Sequence, residues 1–269
     1  LTSIDLGAQD RLTIANNLRK AVNNMLDFHM YYQPQLDLKT NKLIGMEALI
    51  RWFYPAECGI PPGVFIPMSE ENGLIIPVGN WVLREACQQL KTWEHEATSD
   101  LIMSINISAN QLLQADFVAN VDQIIADTGI NPEQLCFEIT EIATLQNIDF
   151  SLLVLNQLLD RGIQIALDDF GIGYSSILLF KLLPLKVIKI DRSFIGELSQ
   201  PHNTAIVTAI IAMSKSLDMR VIAEGVETLE QLELLRDMGC DAYQGHITSP
   251  AVSAEHFEAV FLKDLLKNQ

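Results

Sequence analysis

The stretch IQIALDDFGIGYSSILLFKLLPLKVIKID, residues 163–191, holds two short apolar runs separated by a segment of helix-like length. The first run ends in Asp168 and Asp169, and the second contains Lys189 and ends in Asp191. Buried strands of parallel sheets have this short, continuously apolar character. A strand, a helix and a second strand in this order predict a parallel sheet with its helices outside.

The same alternation extends in both directions along the chain, about eight times in all. Helix-like segments lie near 79–96, 110–128, 148–161, 174–183, 203–217, 228–238 and 254–267. Seven of the eight apolar runs finish in polar groups, at Glu47, Asn106, Glu138, Asp168–Asp169, Lys189–Asp191, Glu224 and Gln244. The first run, FHMYYQPQLDL, does not. An open doubly wound sheet gathers ligand groups at one switch point, whereas a closed (β/α)8 barrel brings all strand ends to one mouth, and the pattern favours the barrel.

The predicted mouth would be rich in oxygen ligands. Five carboxylates meet there, and two of them ~4 Å apart repel by about 4 kcal/mol at an effective dielectric of 20. Such a cluster must hold protons or bind cations, and an all-oxygen shell suits Mg²⁺ or Mn²⁺ rather than zinc. Lys189 follows Val187 and Ile188, so we expect it inside the barrel, paired with carboxylates. Arg51 is expected in the loop after the second strand, as a phosphate clamp or a surface arginine.

Composition restricts the class of protein. The 269 residues carry a formal net charge of −16, which disfavours general nucleic-acid binding. No signal peptide or membrane span is evident, and four cysteines without paired spacing fit reduced thiols in the cytoplasm. The chain begins Leu1-Thr2-Ser3, which we interpret as a fragment of a longer protein. Residues 10–25 have helical spacing and predict a lead-in helix, and the proline-rich residues 53–68 predict an ordered excursion.

Seven motifs give the chain a close resemblance to a known family. They are EALIRW, SINISANQ, FEITE, DDFGIGYSS, IKIDRSF, AEGVET and YQG, in this order. Together they resemble the EAL-domain family of cyclic-di-GMP phosphodiesterases over about residues 26–260. The resemblance implies a modified TIM (β/α)8 barrel with an antiparallel first strand. We therefore expect a lead-in or linker helix in residues 1–25 and the barrel domain in 26–269.

The resemblance also implies an activity, the hydrolysis of cyclic-di-GMP to linear pGpG with one or two Mg²⁺ or Mn²⁺ ions. A first ion would be held by Glu47, Asn106, Glu138 and Asp168, and a second held or surrounded by Asp168, Asp169, Glu224 and Gln244. Lys189 and Glu224 would position and activate the attacking water. Arg51, Leu49 and Gln244 would contact the substrate. Glu141 would anchor the DDFG loop, and Glu227 would support the site.

The resemblance extends to partners. It implies a homodimer formed near the DDFG loop and fusion to sensory or GGDEF-type domains. Ile177–Phe180 could serve the dimer interface, while core packing is expected for most of this run. Even if the parent protein is anchored in a membrane, we expect this domain on the cytoplasmic side.

Two departures from the family pattern lie outside the expected metal ligands. Ile172 replaces a usual threonine in the loop, and His246–Pro250 lack a usual aromatic residue and a basic residue. We expect lower or more regulated activity from them. A catalytically weak or inactive domain that serves as a cyclic-di-GMP receptor is the main alternative, and an unrelated metal-dependent barrel enzyme is a third.

Overall fold

The computed structural model describes residues 8–25, 27–54, 59–170 and 182–263. Eight strands close into a barrel in the order β1 to β8, and a short ninth strand pairs with β1. The strands are β1 Phe28–Asp37, β2 Leu43–Trp52, β3 Ile102–Asn106, β4 Leu135–Thr140, β5 Gln164–Phe170, β6 Val187–Ile190, β7 Arg220–Glu224, β8 Ala242–Gln244 and β9 Val252–Ser253. Strands β2 to β8 are parallel neighbours, so their carboxyl ends share one mouth.

Strand β1 runs against all its neighbours. It pairs antiparallel with β2 from Phe28↔Trp52 onward, and its far end closes the barrel against β8 through Leu36↔Tyr243. Near the mouth it also pairs with β9. The modified (β/α)8 barrel with an antiparallel first strand is therefore confirmed.

The helices surround this barrel. They are α1 Ala8–Asn24, α2 Pro62–Glu71, α3 Ile75–Thr92, α4 Ala109–Leu112, α5 Phe117–Thr128, α6 Glu141–Leu145, α7 Ile148–Leu159, α8 Arg192–Gly196, α9 Pro201–Ser216, α10 Leu229–Met238 and α11 Ala254–Phe257. A π-helical turn, Glu258–Leu262, follows α11, and the predicted segment at 174–183 lies almost wholly outside the described residues. None of the helices in the described ranges has the length and apolar character needed to cross a membrane.

The structure refines one local prediction and corrects another. The ordered excursion predicted for residues 53–68 includes the start of helix α2, which begins at Pro62 because proline is tolerated in the first turn, where its missing N–H is no loss. Arg51, expected in a loop, belongs to β2, which continues to Trp52 because β1 pairs with it over that length.

Helix α1 packs on the barrel through one apolar face. Leu18, Ala21 and Val22 are buried in the main hydrophobic core, and α1 contacts α2. The predicted helix in residues 10–25 is thus present. The boundary placed between residues 25 and 26 stays a prediction.

The barrel interior changes from apolar to charged towards the mouth. A small apolar cluster forms its lower layer, from Cys136, Ala166, Val187, Ile222 and Ala242. Two residues further along each of these five strands, the same inward face carries Glu138, Asp168, Lys189, Glu224 and Gln244. A strand period of two therefore places the predicted polar groups in one layer above a closed apolar floor.

Candidate active site

Lys189 lies at the centre of the charged layer. Its side chain is 1% exposed, and Nζ is 2.6 Å from Glu138 Oε2, 2.6 Å from Glu224 Oε1 and 3.2 Å from Glu47 Oε2. Asp168 Oδ1 lies slightly farther away, at 3.6 Å. Burial alone would lower the pKa of Lys189, but the surrounding carboxylates raise it well above its usual value. The lysine is therefore a permanent buried cation shared by four strands.

Glu47 is the most firmly held carboxylate of this group. Besides Lys189, it accepts hydrogen bonds from Asn106 Nδ2 at 2.7 Å and from Gln244 Nε2 at 2.6 Å. Burial acts to raise its pKa, but Lys189 and the two amide donors together hold the pKa below its usual value. Glu47 is thus ionised at neutral pH, and its orientation is fixed from three sides.

The pKa values of three other carboxyls in the layer are raised instead of lowered. Burial, followed by the charge of Glu47, raises the pKa of Glu138 well above its usual value. Burial also raises the pKa of Glu224 to about 8 and, with the neighbouring Asp168, that of Asp169 to about 6. One ammonium therefore does not neutralise this layer, and protons remain on it at neutral pH.

A β-bulge brings Asp168 and Asp169 to the mouth together. Leu167 pairs with Ile188 and Phe170 with Ile190, so two aspartates lie opposite Lys189 alone. Asp169 adopts a positive φ of 53°, a conformation that aspartate tolerates better than most residues. As a result, oxygens of Asp168, Asp169 and Glu224 lie within 4.8 Å of one another.

These donors fit a hard divalent cation. If its four carboxylates were all ionised, the cluster including Lys189 would carry a net charge of −3. Among the described residues, Glu138 Oε1 and Asp168 Oδ1 are buried without a hydrogen-bond partner, a costly arrangement unless another ligand meets them. Asn106 Nδ2 is committed to Glu47, so its oxygen is the atom it can offer to an ion. Carboxylate and amide oxygens are the ligands Mg²⁺ and Mn²⁺ prefer.

Two glutamines that we did not predict complete the layer. Gln35 Nε2 donates to Gln244 Oε1 at 3.0 Å, and Gln244 Nε2 donates to Gln33 Oε1 at 2.9 Å. Gln33 and Gln35 lie in the middle of β1. Because β1 runs antiparallel to the other strands, its middle residues reach the same layer as the carboxylates. The alternating Gln33-Pro34-Gln35 within an apolar strand was the signal that could have revealed them.

A cavity of about 600 Å³ opens beside this layer. Leu49, Arg51 and Asn106 line it, together with Ile66 and Glu70 of α2. The Arg51 guanidinium lies 5.8 Å from the centre of the Tyr31 ring, and Nη1 donates to the Ile50 carbonyl at 3.0 Å. Arg51 is thus held in place beside the carboxylates, with donors left for a ligand.

Of the two glutamates predicted to support the site, one is buried and the other is exposed to solvent. Glu141 is buried at the start of α6, but the loop that it was expected to anchor, with Ile172, lies outside the described residues. Ile177–Phe180 also lie there. Glu227 is exposed, and its backbone N–H donates to Gln231 Oε1 at 2.8 Å. In the rim segment, His246 is exposed and the Ser249 carbonyl accepts from Gln33 Nε2 at 3.0 Å.

Comparison with known proteins agrees with this geometry. The chain is 39% identical to the bifunctional diguanylate cyclase/cyclic di-GMP phosphodiesterase MucR of Pseudomonas aeruginosa over 259 residues, 96% of this chain and 38% of MucR. It is 41% identical to the signaling protein YkoW of Bacillus subtilis, over 91% of this chain and 31% of YkoW. The chain thus spans about a third of the length of these relatives.

Solved structures show the same barrel. The PaMucR phosphodiesterase in complex with c-di-GMP superposes with a TM-score of 0.86 at 38% identity, covering 91% of this chain and 99% of that one. The EAL enzyme Bd1971, bound to cAMP and cyclic-di-GMP, gives a TM-score of 0.90 at 31% identity, covering 96% and 70%. The family model for the EAL domain matches residues 15–251. The chain therefore belongs to the EAL domain family.

Proposed function

We propose that this chain is a phosphodiesterase that hydrolyses one phosphodiester bond of cyclic-di-GMP and releases linear pGpG. The observation that carries the proposal is the buried Lys189 surrounded by Glu47, Glu138, Asp168 and Glu224 at the mouth of the barrel. A domain that only binds the nucleotide has no need to bury so many charges together. We infer the substrate from relatives whose names include cyclic di-GMP phosphodiesterase or a c-di-GMP complex.

One or two divalent cations, Mg²⁺ or Mn²⁺, complete the proposed site. Glu47, Asn106, Glu138 and Asp168 would hold one ion, and Asp169 would contribute to a second with Asp168 and Glu224. When bound, such ions supply positive charge to phosphate oxygens and lower the pKa of water.

The side chains of the chain then divide the chemistry. Glu224, half-buried at the mouth, accepts a proton from the attacking water as its oxygen approaches phosphorus in line with the leaving sugar oxygen. Lys189 holds Glu224 at 2.6 Å and keeps its acceptor oxygen directed into the site. The P–O bond to the leaving sugar oxygen breaks and that oxygen takes up a proton from solvent, which opens the ring and gives the linear dinucleotide with a terminal phosphate.

The cavity beside this layer is suited to the substrate. Arg51 offers a guanidinium to the phosphate that is not cleaved, and Leu49 offers an apolar wall. Its volume of about 600 Å³ lies within the range of small-molecule sites. The rest of the substrate would extend over the open mouth.

Product analysis with a matched pair of variants tests the proposal. Wild type, Glu47→Gln and Glu230→Gln would be incubated with cyclic-di-GMP and Mg²⁺ or Mn²⁺, and pGpG followed by chromatography. Glu230 is an exposed glutamate in α10, so its variant should match wild type. Glu47→Gln should lose turnover, because it removes an ionised oxygen without changing the shape. Calorimetry adds a second measurement: nucleotide binding without pGpG from wild type would indicate a receptor, and metal binding without nucleotide binding a different enzyme.

The setting of this domain is also proposed. Since the chain spans about a third of its curated relatives, we propose that it works within a longer signalling protein, joined to sensory or GGDEF-type domains, on the cytoplasmic side. Dimerisation stays a prediction, and light scattering of the purified chain would test it.

A further inference from the structure

Gln35 is a buried amide that none of the proposed chemistry uses. It lies in the inner half of β1, is 2% exposed and contacts Gln244 across the seam where β1 closes the barrel against β8. Its Nε2 also lies 3.5 Å from Ser104 Oγ in β3. Gly45 of β2 lies against it: a Cβ there would come within 3.3 Å of Gln35 Oε1 and would clash with the Ile102 carbonyl at 2.5 Å.

The direction of every hydrogen bond in this glutamine network follows from its two ends. Glu47 Oε2 faces the Lys189 ammonium, which only donates, and this oxygen also accepts from Gln244, so Gln244 turns Nε2 towards it. Gln244 Oε1 then faces Gln35, which must present its own Nε2. At the other end the Ser249 carbonyl also only accepts, which fixes Gln33 with Nε2 towards the rim and Oε1 towards Gln244. Each amide can therefore be satisfied in one orientation.

Gln244 Oε1 accepts a hydrogen bond from Gln35 Nε2 at 3.0 Å, which fixes which end of the Gln244 amide faces Glu47. Gln244 Nε2 binds Glu47 Oε2, at the same time as Lys189 does, while Asn106 binds Glu47 Oε1. The orientation of Glu47 thus depends on an amide that a second amide holds in place.

We propose that Gln35 is a positioning residue that fixes the Gln244 amide so that Gln244 orients Glu47 for a divalent cation. This inference rests on the proposed function, because it assigns Glu47 to the metal. It implies that Gln35 contributes to metal affinity although it contacts no ion.

The experiment measures metal affinity directly. Mn²⁺ and Mg²⁺ would be titrated by calorimetry into metal-free wild type, Gln35→Met and Gln35→Glu. Met keeps the length of the side chain and removes the donor, while Glu keeps the shape and presents an acceptor to Gln244 Oε1. Loss of a residue that orients a metal ligand lowers metal affinity by about 10–100-fold, and we expect both variants to fall in this range. In the activity assay, saturating metal should bring turnover of Gln35→Met to within about threefold of wild type, with KM for cyclic-di-GMP unchanged.

A matched control separates positioning from a general loss of packing. Gln134 is 5% exposed and its Nε2 donates to the Thr98 and Leu101 carbonyls outside the barrel, at 3.3 and 3.4 Å. Gln134→Met should reduce thermal stability and leave metal affinity unchanged. Equal metal affinity in wild type and both Gln35 variants would overturn the inference, as would an equal loss in Gln134→Met. If wild type binds metal and releases no pGpG, the proposed function fails, while the affinity comparison still decides the role of Gln35.

Discussion

Replacement of Lys189 by Met should destabilise the metal-free protein strongly and in a pH-dependent way. The substitution keeps most of the side-chain volume and removes the ammonium that lies within 2.6–3.6 Å of four carboxylates. Removing one partner of a buried ion pair costs about 3–5 kcal/mol, because the remaining charge stays buried. We expect a loss of this size at pH 8, a large part of the 5–15 kcal/mol that stabilises a typical domain.

The pH dependence follows from proton binding. In wild type, the folded state raises the pKa of Lys189, so the lysine stabilises the fold fully at any pH below the ordinary lysine pKa. This stabilisation is lost only as the pH rises through the pKa of the folded state. It is therefore constant between pH 5 and 8. In Lys189→Met the carboxyls lose their cation, and their pKa values rise further. The folded variant then binds more protons than the unfolded chain, so its stability increases as the pH falls. Each additional proton contributes up to about 1.4 kcal/mol per pH unit.

Urea unfolding at pH 8.0 and 5.5, with EDTA present and followed by circular dichroism, measures both effects. Lys186→Met is the control, because Lys186 is exposed just before β6, and it should stay within about 0.5 kcal/mol of wild type. The gap between Lys189→Met and wild type should narrow at pH 5.5. A loss below about 1 kcal/mol at pH 8, or one that is equal at both pH values, would refute the reasoning from buried charge.

Three further predictions concern the metal, the thiols and the bulge. Burial raises the pKa of Glu224 to about 8, so this carboxyl holds a proton at pH 7 that a cation must displace. Mg²⁺ affinity measured by calorimetry should therefore rise up to about tenfold per pH unit from pH 6 to 8 and then level off. An affinity that does not change with pH would contradict this. Burial raises the pKa of the Cys87 and Cys240 thiols to about 12, so a Cys58→Ser variant should react with Ellman's reagent only after unfolding, and a fast native phase would be evidence against these buried positions. Because Asp169 has a positive φ, Asp169→Gly should be more stable than Asp169→Ala by about 1 kcal/mol in thermal unfolding, and the reverse order would argue against the bulge.

The sequence was most informative about the parallel strands. Glu138, Lys189 and Glu224 each follow an apolar run whose period of two places them on the inner face, so their convergence needed only a closed barrel. Their charges also fixed the need for cations. The sequence does not show that the pKa of Glu47 is lowered while that of Glu138 is raised. This difference, like the distances in the site, depends on which carboxylate oxygens contact Lys189. Those contacts are set by packing between strands that lie far apart in the sequence.

The errors and omissions lie where one strand runs the other way or where a proline begins a helix. Gln33 and Gln35 were missed because polar groups were sought at strand ends, whereas a reversed strand brings its middle to the site. The apolar run of β2 stops before Arg51 and so predicts a loop there. Pairing with β1 nevertheless continues the strand as far as Trp52. The proline-rich residues 53–68 predict an ordered excursion but do not reveal the helix that begins at Pro62.

The reversed first strand also has a consequence for the order of folding. Leu36 pairs with Leu43, 7 residues away, and with Tyr243, 207 residues away, so β1 takes part in both a very local and a very distant pairing. Loop-closure entropy alone makes the distant contact about 3 kcal/mol more costly, from 1.5RT ln(207/7). The β1–β2 hairpin can therefore form early, while the β1–β8 seam forms when the intervening strands are in place. Since Gln35 meets Gln244 across that seam, closure of the barrel and assembly of the glutamine network are one event in folding.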